Sequence, residues 1–541
     1  MSEAPAKSTG PARDAAPDRG GRHAFLVASG IFASRMAGLV RQRVFAHYFG
    51  LSAAADVFNA AFRIPNFLQN VFGEGVLSAS FIPVYARTLT RGDEEEAGRL
   101  AGTIATILAL VVAVVVLLGV LAAPALTGIL AGGFEGEKRA LTVRLVRILF
   151  PGAGLLVLSA WCLGILNSHR RFLLSYMAPV IWNVAMIATL IAGGRTIAGR
   201  SLETLAVWLA WGSVVGSALQ FLVQLPAVLR LVPRLRLGLD VGASGTREVT
   251  RSFGPVFIGR GVSQISAFVD VVIASYLPTG AVTAISNAQT LYMLPISLFG
   301  MAVSAAELPA MSAIVGDDAA VAAVLRARVA AGLRRLVFFV VPSAVAFLAL
   351  GDALATIVFR SGRFTADDAR YVWAILAGSA VGLLAATMGR LYSSVLYARR
   401  DTRTPLHFAM VRVALTIALG YLFALQLPRL LGVSPRWGAM GLTASAGLAA
   451  WVELTLLRRA VHARIGAVEF SRRNLLLVYV AAITAAAVAW GESRLLPGAP
   501  RFAGSVLTVM IYCAVYLGMA SLLRVAEARA LVERVARRRA R

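Results

Sequence analysis

Apolar runs of membrane-spanning length recur from residue 24 to residue 525 of this 541-residue chain, and 58% of all its residues are hydrophobic. A helix needs about 20 predominantly apolar residues to cross the hydrocarbon core of a bilayer. A chain built from many such runs is an all-α polytopic membrane protein. We place fourteen helices, centred near residues 35, 70, 112, 155, 183, 215, 265, 295, 345, 385, 415, 447, 483 and 513. The loops between them are short, so no extramembrane domain is left to house an active site.

A formal charge of +26 would suggest nucleic acid in a soluble chain. Here the arginines gather in alternate loops, as at Arg170 and Arg171, Arg230 to Arg236, Arg399 to Arg403, and Arg472 and Arg473. That asymmetry is a topology signal, and it sets both termini in the cytoplasm. Residues 1–22 are polar and lack an apolar region with a cleavage site, so they read as a disordered cytoplasmic tail. The basic stretch from Arg524 to Arg541 is expected to lie on the anionic leaflet. Cys162 and Cys513 fall inside apolar segments and read as small buried hydrophobes. The histidines show no metal-ligand spacing, and no cofactor is expected.

An internal repeat appears at an offset of 230. Pro65 corresponds to Pro295 (295 − 65 = 230), and Arg170, closing helix 4, corresponds to Arg400, closing helix 10 (400 − 170 = 230). Two six-helix lobes follow, residues 23–236 and 245–464, with a further helix pair at 474–525 and a basic tail at 526–541.

Charge inside the apolar runs asks for a reason, because a central arginine costs on the order of 2.5–3.5 kcal/mol on insertion. Arg35 and Arg41 point about 120° apart on one helix, close enough to line one aqueous cavity and meet an anion there. Arg43 and Arg87 sit near segment ends and read as snorkelling side chains. Arg63 and Glu74 lie in the second segment, and Asp270 and Glu307 are intramembrane acids that read as counter-charges to the many basic groups. Trp182, Trp208, Trp211 and Tyr392 read as packing residues.

The runs SRMAGLVRQRVFAHYFG, AADVFNAAFRIPNFLQNVFGEG and FIPVYA resemble the N-terminal signature of the MurJ (MviN) lipid II flippases of the MOP exporter superfamily. FPGAGLLVLSAWCLGILNSHRRF, SQISAFVDVVIASYL, RSGRFTADD and YARRDTRTP extend the resemblance over roughly residues 24–525. The resemblance implies a bacterial inner-membrane protein with two six-helix lobes around a cationic cavity. It implies movement of an undecaprenyl diphosphate-linked precursor from the cytoplasmic to the periplasmic leaflet by alternating access, without ATP hydrolysis. Carried over, the substrate-binding positions are Arg35, Arg41, Arg63, Asn66, Glu74 and Arg390, with Asp56 as the loop acid; beside Asp56, the intramembrane acids Asp270 and Glu307 are given supporting or gating roles from their position alone. Several fixed guanidinium forks suit a diphosphate.

The chain departs from the family pattern at several places. Gln69 and Asn70 stand where basic residues usually follow IPN, Gln42 replaces an acid, Gln289 and Thr290 replace an arginine ahead of Pro295, and Gly420 replaces an asparagine. Arg260, in FIGRGVS, either restores a cavity charge or pairs with Asp270 or Glu307. The expected function is therefore a lipid II flippase, with a flippase for another undecaprenyl diphosphate-linked glycan as the alternative. A membrane glycosyltransferase lacks the external loop it would need, and a non-transporting scaffold for cell-wall synthesis leaves the buried arginines unexplained. The expected partners are the lipid substrate, membrane lipids and cell-wall synthesis proteins, with the chain itself a monomer.

Overall fold

The computed structural model describes residues 18–530 and 533, apart from 73, 197–200, 241, 243, 315 and 496–500; side chains at 18–28, 71, 74–76, 244, 255–267, 302, 305–306, 493, 495 and 501 also lie outside the description. Among the described residues every regular element is helical. The N-terminal half contains α1 (Asp18–Phe49), α2 (Ala53–Phe72), α3 (Glu74–Thr90), α4 (Glu94–Leu121), α5 (Ala123–Leu130), α6 (Gly136–Ser168), α7 (Phe172–Thr196) and α8 (Leu202–Leu231). The second half contains α9 (Ser244–Ser275), α10 (Ala281–Pro295), α11 (Ala302–Ser312), α12 (Asp318–Phe359), α13 (Ala366–Ala398), α14 (Arg403–Tyr421), α15 (Leu427–Leu430) and α16 (Gly438–Ile465). α17 (Arg472–Leu495) and α18 (Arg501–Leu522) pack on each other and on α12.

Ten helices are long and apolar enough to cross a membrane among the described residues. The long elements outside that set are α1, the α2–α3 pair, α9 and the α10–α11 pair. These carry the intramembrane charges or are broken, and they form much of the contact between the two halves: α3 packs on α9, α2 on α9 and α10, and α1 on α12. Helices that line a polar interior do not read as uniformly apolar. α1 begins at Asp18, ahead of the expected boundary at residue 23.

The 230-residue offset recurs in the backbone. α6 and α13 both have 33 residues and start and end 230 apart (366 − 136 and 398 − 168). Each ends in a left-handed arginine, Arg170 at φ 58° and Arg400 at φ 61°. Each also closes with the same pair of bonds: Arg171 N–H to Leu166 O with Arg170 N–H to Asn167 O, and Asp401 N–H to Leu396 O with Arg400 N–H to Tyr397 O. This is the Schellman closure of a helix C-terminus. Gly50 and Gly280, also 230 apart, both have positive φ. The bend between α4 and α5 at Ala122 has a counterpart in α12, where Leu350 leaves helical geometry at φ −127°, ψ 15°.

Proline and π turns shape the second half. Pro295 removes a backbone donor and is followed by a π-helical turn, Ile296–Met301, that leads into α11; a second π turn, Leu422–Gln426, joins α14 to α15. Glu307 on α11 is buried and is held by Arg328 at 3.0 Å and Arg335 at 3.5 Å, both from α12. Cys162 is buried as expected, but Cys513 is exposed on α18, whose apolar outer face accommodates a small thiol without burying it.

Candidate functional site

A seam of hydrogen bonds joins the N-terminal half to α10. It starts at Asp56, in the first turn of α2, whose side chain is 1% exposed. Asp56 Oδ2 accepts Gly280 N–H at 2.7 Å, and Oδ1 accepts Thr283 N–H at 2.9 Å and the Thr283 hydroxyl at 2.8 Å. Lys138 Nζ on α6 lies 3.2 Å from Oδ2. α10 has glycine at its N-cap and no capping side chain of its own, so a carboxylate from the other half caps it. The helix dipole and a full set of donors offset the several kcal/mol that desolvating the carboxylate costs.

The seam continues with Asn59 Nδ2 to Thr283 Oγ1 at 3.2 Å and Gln42 Nε2 to Asn287 Oδ1 at 2.8 Å. Arg63 Nη2 donates to Gln289 Oε1 at 2.6 Å, and Gln289 Nε2 donates to Asp270 Oδ2 at 3.3 Å. Gln289 thus bridges Arg63 and Asp270. Nearby, Arg43 Nη1 donates to the Ile357 and Val358 carbonyls at 2.6 and 3.1 Å, closing the C-terminal end of α12. The snorkelling expectation for Arg43 is corrected by these bonds: unpaired terminal carbonyls draw the guanidinium inward. Arg87 is likewise paired, with Glu248 on α9.

Beyond the seam, α1, α2, α3, α6, α7 and α8 enclose a cavity of about 830 Å³. Arg41 and Asn66 line it. The Arg41 guanidinium lies 4.7 Å from the centroid of Trp182, which stacks on Phe62 at 5.8 Å, and Arg41 Nη1 reaches Met186 Sδ at 3.5 Å. Among the described residues no acid lines it; the remaining polar wall is amides and hydroxyls, including Gln69, Asn70, Asn183 and Gln220. A cation held over an aromatic face, with no counter-ion among the described residues, is poised for an anionic ligand.

The structure separates residues expected together. Arg35 does not line this cavity; it is exposed, and its Nη1 donates to Ser297 Oγ at 2.9 Å on the π turn. Six residues along a helix turn the second arginine through about 120°, and that angle spans two walls here. Arg390 is exposed on α13. The side chains of Glu74 and Arg260 lie outside the described residues. Sequence reasoning does not pick out Lys138 and Thr283; the available signal is that Lys138 is one of only two lysines among 53 basic residues. Trp182 packs as expected and also supports Arg41.

Comparison with known proteins places this geometry. The family model for "Lipid II flippase MurJ" matches residues 45–511. The chain is 30% identical over 443 residues to the lipid II flippase MurJ of Burkholderia cenocepacia, covering 80% of this chain and 82% of that protein. It is 29% identical over 454 residues to the probable lipid II flippase MurJ of Vibrio cholerae, covering 82% and 83%. Among solved structures, a lipid II flippase MurJ in an inward closed conformation superposes with TM-score 0.76 at 23% identity, over 94% of this chain and all of that one. An inward-facing MATE family multidrug transporter of the MOP superfamily gives TM-score 0.63 at 16% identity, over 81% of this chain. With the family model spanning most of its length and relatives of matching length on both sides, this chain belongs to the MurJ lipid II flippase family.

Proposed function

We propose that the protein moves lipid II, the undecaprenyl diphosphate-linked peptidoglycan precursor, from the inner to the outer leaflet of the bacterial cytoplasmic membrane. It is a transporter rather than an enzyme, as its family is. The observation that carries the reading is Arg41, a cation over Trp182 in a cavity of about 830 Å³ that has no acid among its described lining residues. The diphosphate meets Arg41 there, with Arg35 and Arg63 bordering on the other half, while the amide and hydroxyl wall takes the sugar hydroxyls and peptide amides of the head group. Gln69 and Asn70 are part of that wall. A neutral wall selects by hydrogen bonding, and this favours, as the second reading, another undecaprenyl diphosphate-linked glycan.

In this proposal α1, the α2–α3 pair, α9 and the α10–α11 pair complete fourteen spans, and both termini lie in the cytoplasm. The seam at Asp56 then lies at the periplasmic end, and outward opening requires that it part. Release follows because opening parts α1 and α2 from α10 and lets water in around Arg35, Arg41 and Arg63, so the outward state binds the polyanion less tightly. Arg260 and Glu74 complete the substrate set, Arg390 contributes from α13, and the unit works as a monomer.

The test is replacement of a depleted lipid II flippase in a bacterial host, with the lipids of the inner leaflet identified by mass spectrometry. Wild-type chain should restore growth and clear lipid II; Arg41→Ala should do neither while remaining inserted, and Arg41→Lys should restore transport in part. Clearance of a different undecaprenyl diphosphate-linked species selects the second reading. Full transport by Arg41→Ala refutes the site.

A further inference from the structure

At the end of the molecule opposite the Asp56 seam, the C-termini of α6 and α8 and the start of α7 surround a hollow of about 530 Å³. Its floor is apolar, with Leu166, Phe172, Leu174 and Leu231, and its rim holds Arg170, Arg171 and Arg230. All three arginines are exposed, and none has an acidic partner among the described residues. Three cations converge here with no protein anion between them among the described residues.

Two features mark the rim as more than scattered interfacial charge. Arg170 sits at φ 58°, in the left-handed region where glycine is the usual occupant of a helix C-terminus. The side chain is present despite the backbone preference, and it opens on the hollow. The repeat supplies an internal comparison. The counterpart of Arg171 is Asp401 (401 − 171 = 230), which pairs with Arg464, and the counterpart of Arg230 is Ala460 (460 − 230 = 230). The sister corner keeps Arg400 in the left-handed conformation but has an acid where the first has Arg171 and an alanine where the first has Arg230. The first corner has arginine at all three of these positions, the second at one.

We infer that this hollow is a binding site for an anionic phospholipid of the adjoining leaflet, with its phosphate on Arg170, Arg171 and Arg230 and the upper part of an acyl chain on the leucine and phenylalanine floor. Leu173 and Leu229, 51% and 48% exposed, continue the apolar surface toward the bilayer. Basic pockets between transmembrane helices recognise lipid head groups through this combination of guanidinium forks and apolar contact. The site is separate from the Arg41 cavity, and the inference holds whether or not lipid II is the transported species.

The experiment compares the purified full chain in nanodiscs of phosphatidylcholine with and without phosphatidylglycerol, reading lipid adducts by native mass spectrometry and melting temperature in parallel. The wild type should retain phosphatidylglycerol in preference to phosphatidylcholine and melt at higher temperature with it. Each arginine near an anionic lipid changes affinity by about fivefold, so Arg170→Gly should weaken retention about fivefold and the triple variant Arg170→Gly, Arg171→Ala, Arg230→Ala about 100-fold. Arg170→Gly suits the left-handed backbone, so it folds and carries the test even where the triple variant does not. Arg400→Gly is the matched control and should retain the lipid as the wild type does. Inorganic phosphate alone should not reproduce the thermal shift. Equal retention of both lipids by the wild type, undiminished retention by Arg170→Gly, or equal loss in Arg400→Gly would overturn the site.

Discussion

Removing the Asp56 carboxylate should cost the protein about 6 kcal/mol. Deleting one partner of a buried pair typically costs about 3–5 kcal/mol. Lys138, whose side chain is 21% exposed, can turn partly to water, which places the ion-pair share at the low end. The Gly280 and Thr283 N–H groups and the Thr283 hydroxyl lose their acceptor, and each stranded donor adds about 1 kcal/mol. Asp56→Ala should therefore lower the melting temperature in detergent by several degrees, and Asp56→Asn by less. Lys138→Met should rescue part of the loss, because the double variant no longer strands a cation; coupling of about 0.5–3 kcal/mol is the range for residues in contact. The same joint predicts a kinetic phenotype. A disulfide between Asn59→Cys and Thr283→Cys, whose native side chains touch at 3.2 Å, should lock the seam and stop transport until reduced. An unchanged melting temperature in Asp56→Ala, or full transport by the oxidised pair, would refute the reasoning.

Three further outcomes are expected. In a chain lacking Cys162 and Cys513, cysteines at Ser168 and Ser471 should resist a membrane-impermeant thiol reagent in intact cells while one at Ser361 reacts; the reverse pattern would invert the proposed orientation. Glu307→Ala should destabilise by about 2 kcal/mol in thermal melts, and Arg328→Ala by less, because Arg335 still holds the carboxylate. His169, which contacts the Tyr85 hydroxyl at 3.1 Å, has its pKa lowered by burial and then by Arg171, so the fold prefers the neutral ring. A group whose folded pKa is depressed stabilises above its unfolded value, about 6.5, and loses that contribution as pH falls through the folded value. The acid-side decline in melting temperature should accordingly flatten in His169→Gln, and an identical pH profile would count against it.

The spans and the repeat could be read in the chain because both are local or periodic. Bilayer-length apolar runs locate α4, α6 and α13, and the 230-residue offset of Arg170 and Arg400 marks two helix ends whose backbones prove alike. The breaks were harder to see. The bend at Ala122 is marked by Pro124 in the first turn of α5, a signal of a helix start, whereas Leu350 has no proline beside it. In the site, residue type pointed to Arg41, but the division of labour between Arg35 and Arg41 depends on which wall each helix face meets. The cap of α10 joins residues 224 and 227 positions apart, Asp56 with Gly280 and Thr283, and such a contact exists only once the lobes have docked. Gln42 and Gln289, read as losses from a family pattern, turn out to be hydrogen-bonding members of the seam.

The π turn at Ile296–Met301 gives the second lobe a register mechanism. A π turn holds one residue more than the α geometry it interrupts, so converting it to α-helix would rotate everything beyond it by about 100° and lengthen the column by about 1.5 Å. α11 is what lies beyond, and Glu307 is its tether to Arg328 and Arg335. Arg35 fastens the turn itself through Ser297. The ion pairs from α12 thus hold α11 in its present rotational setting, and the arginine that touches the turn from the other half fastens it there.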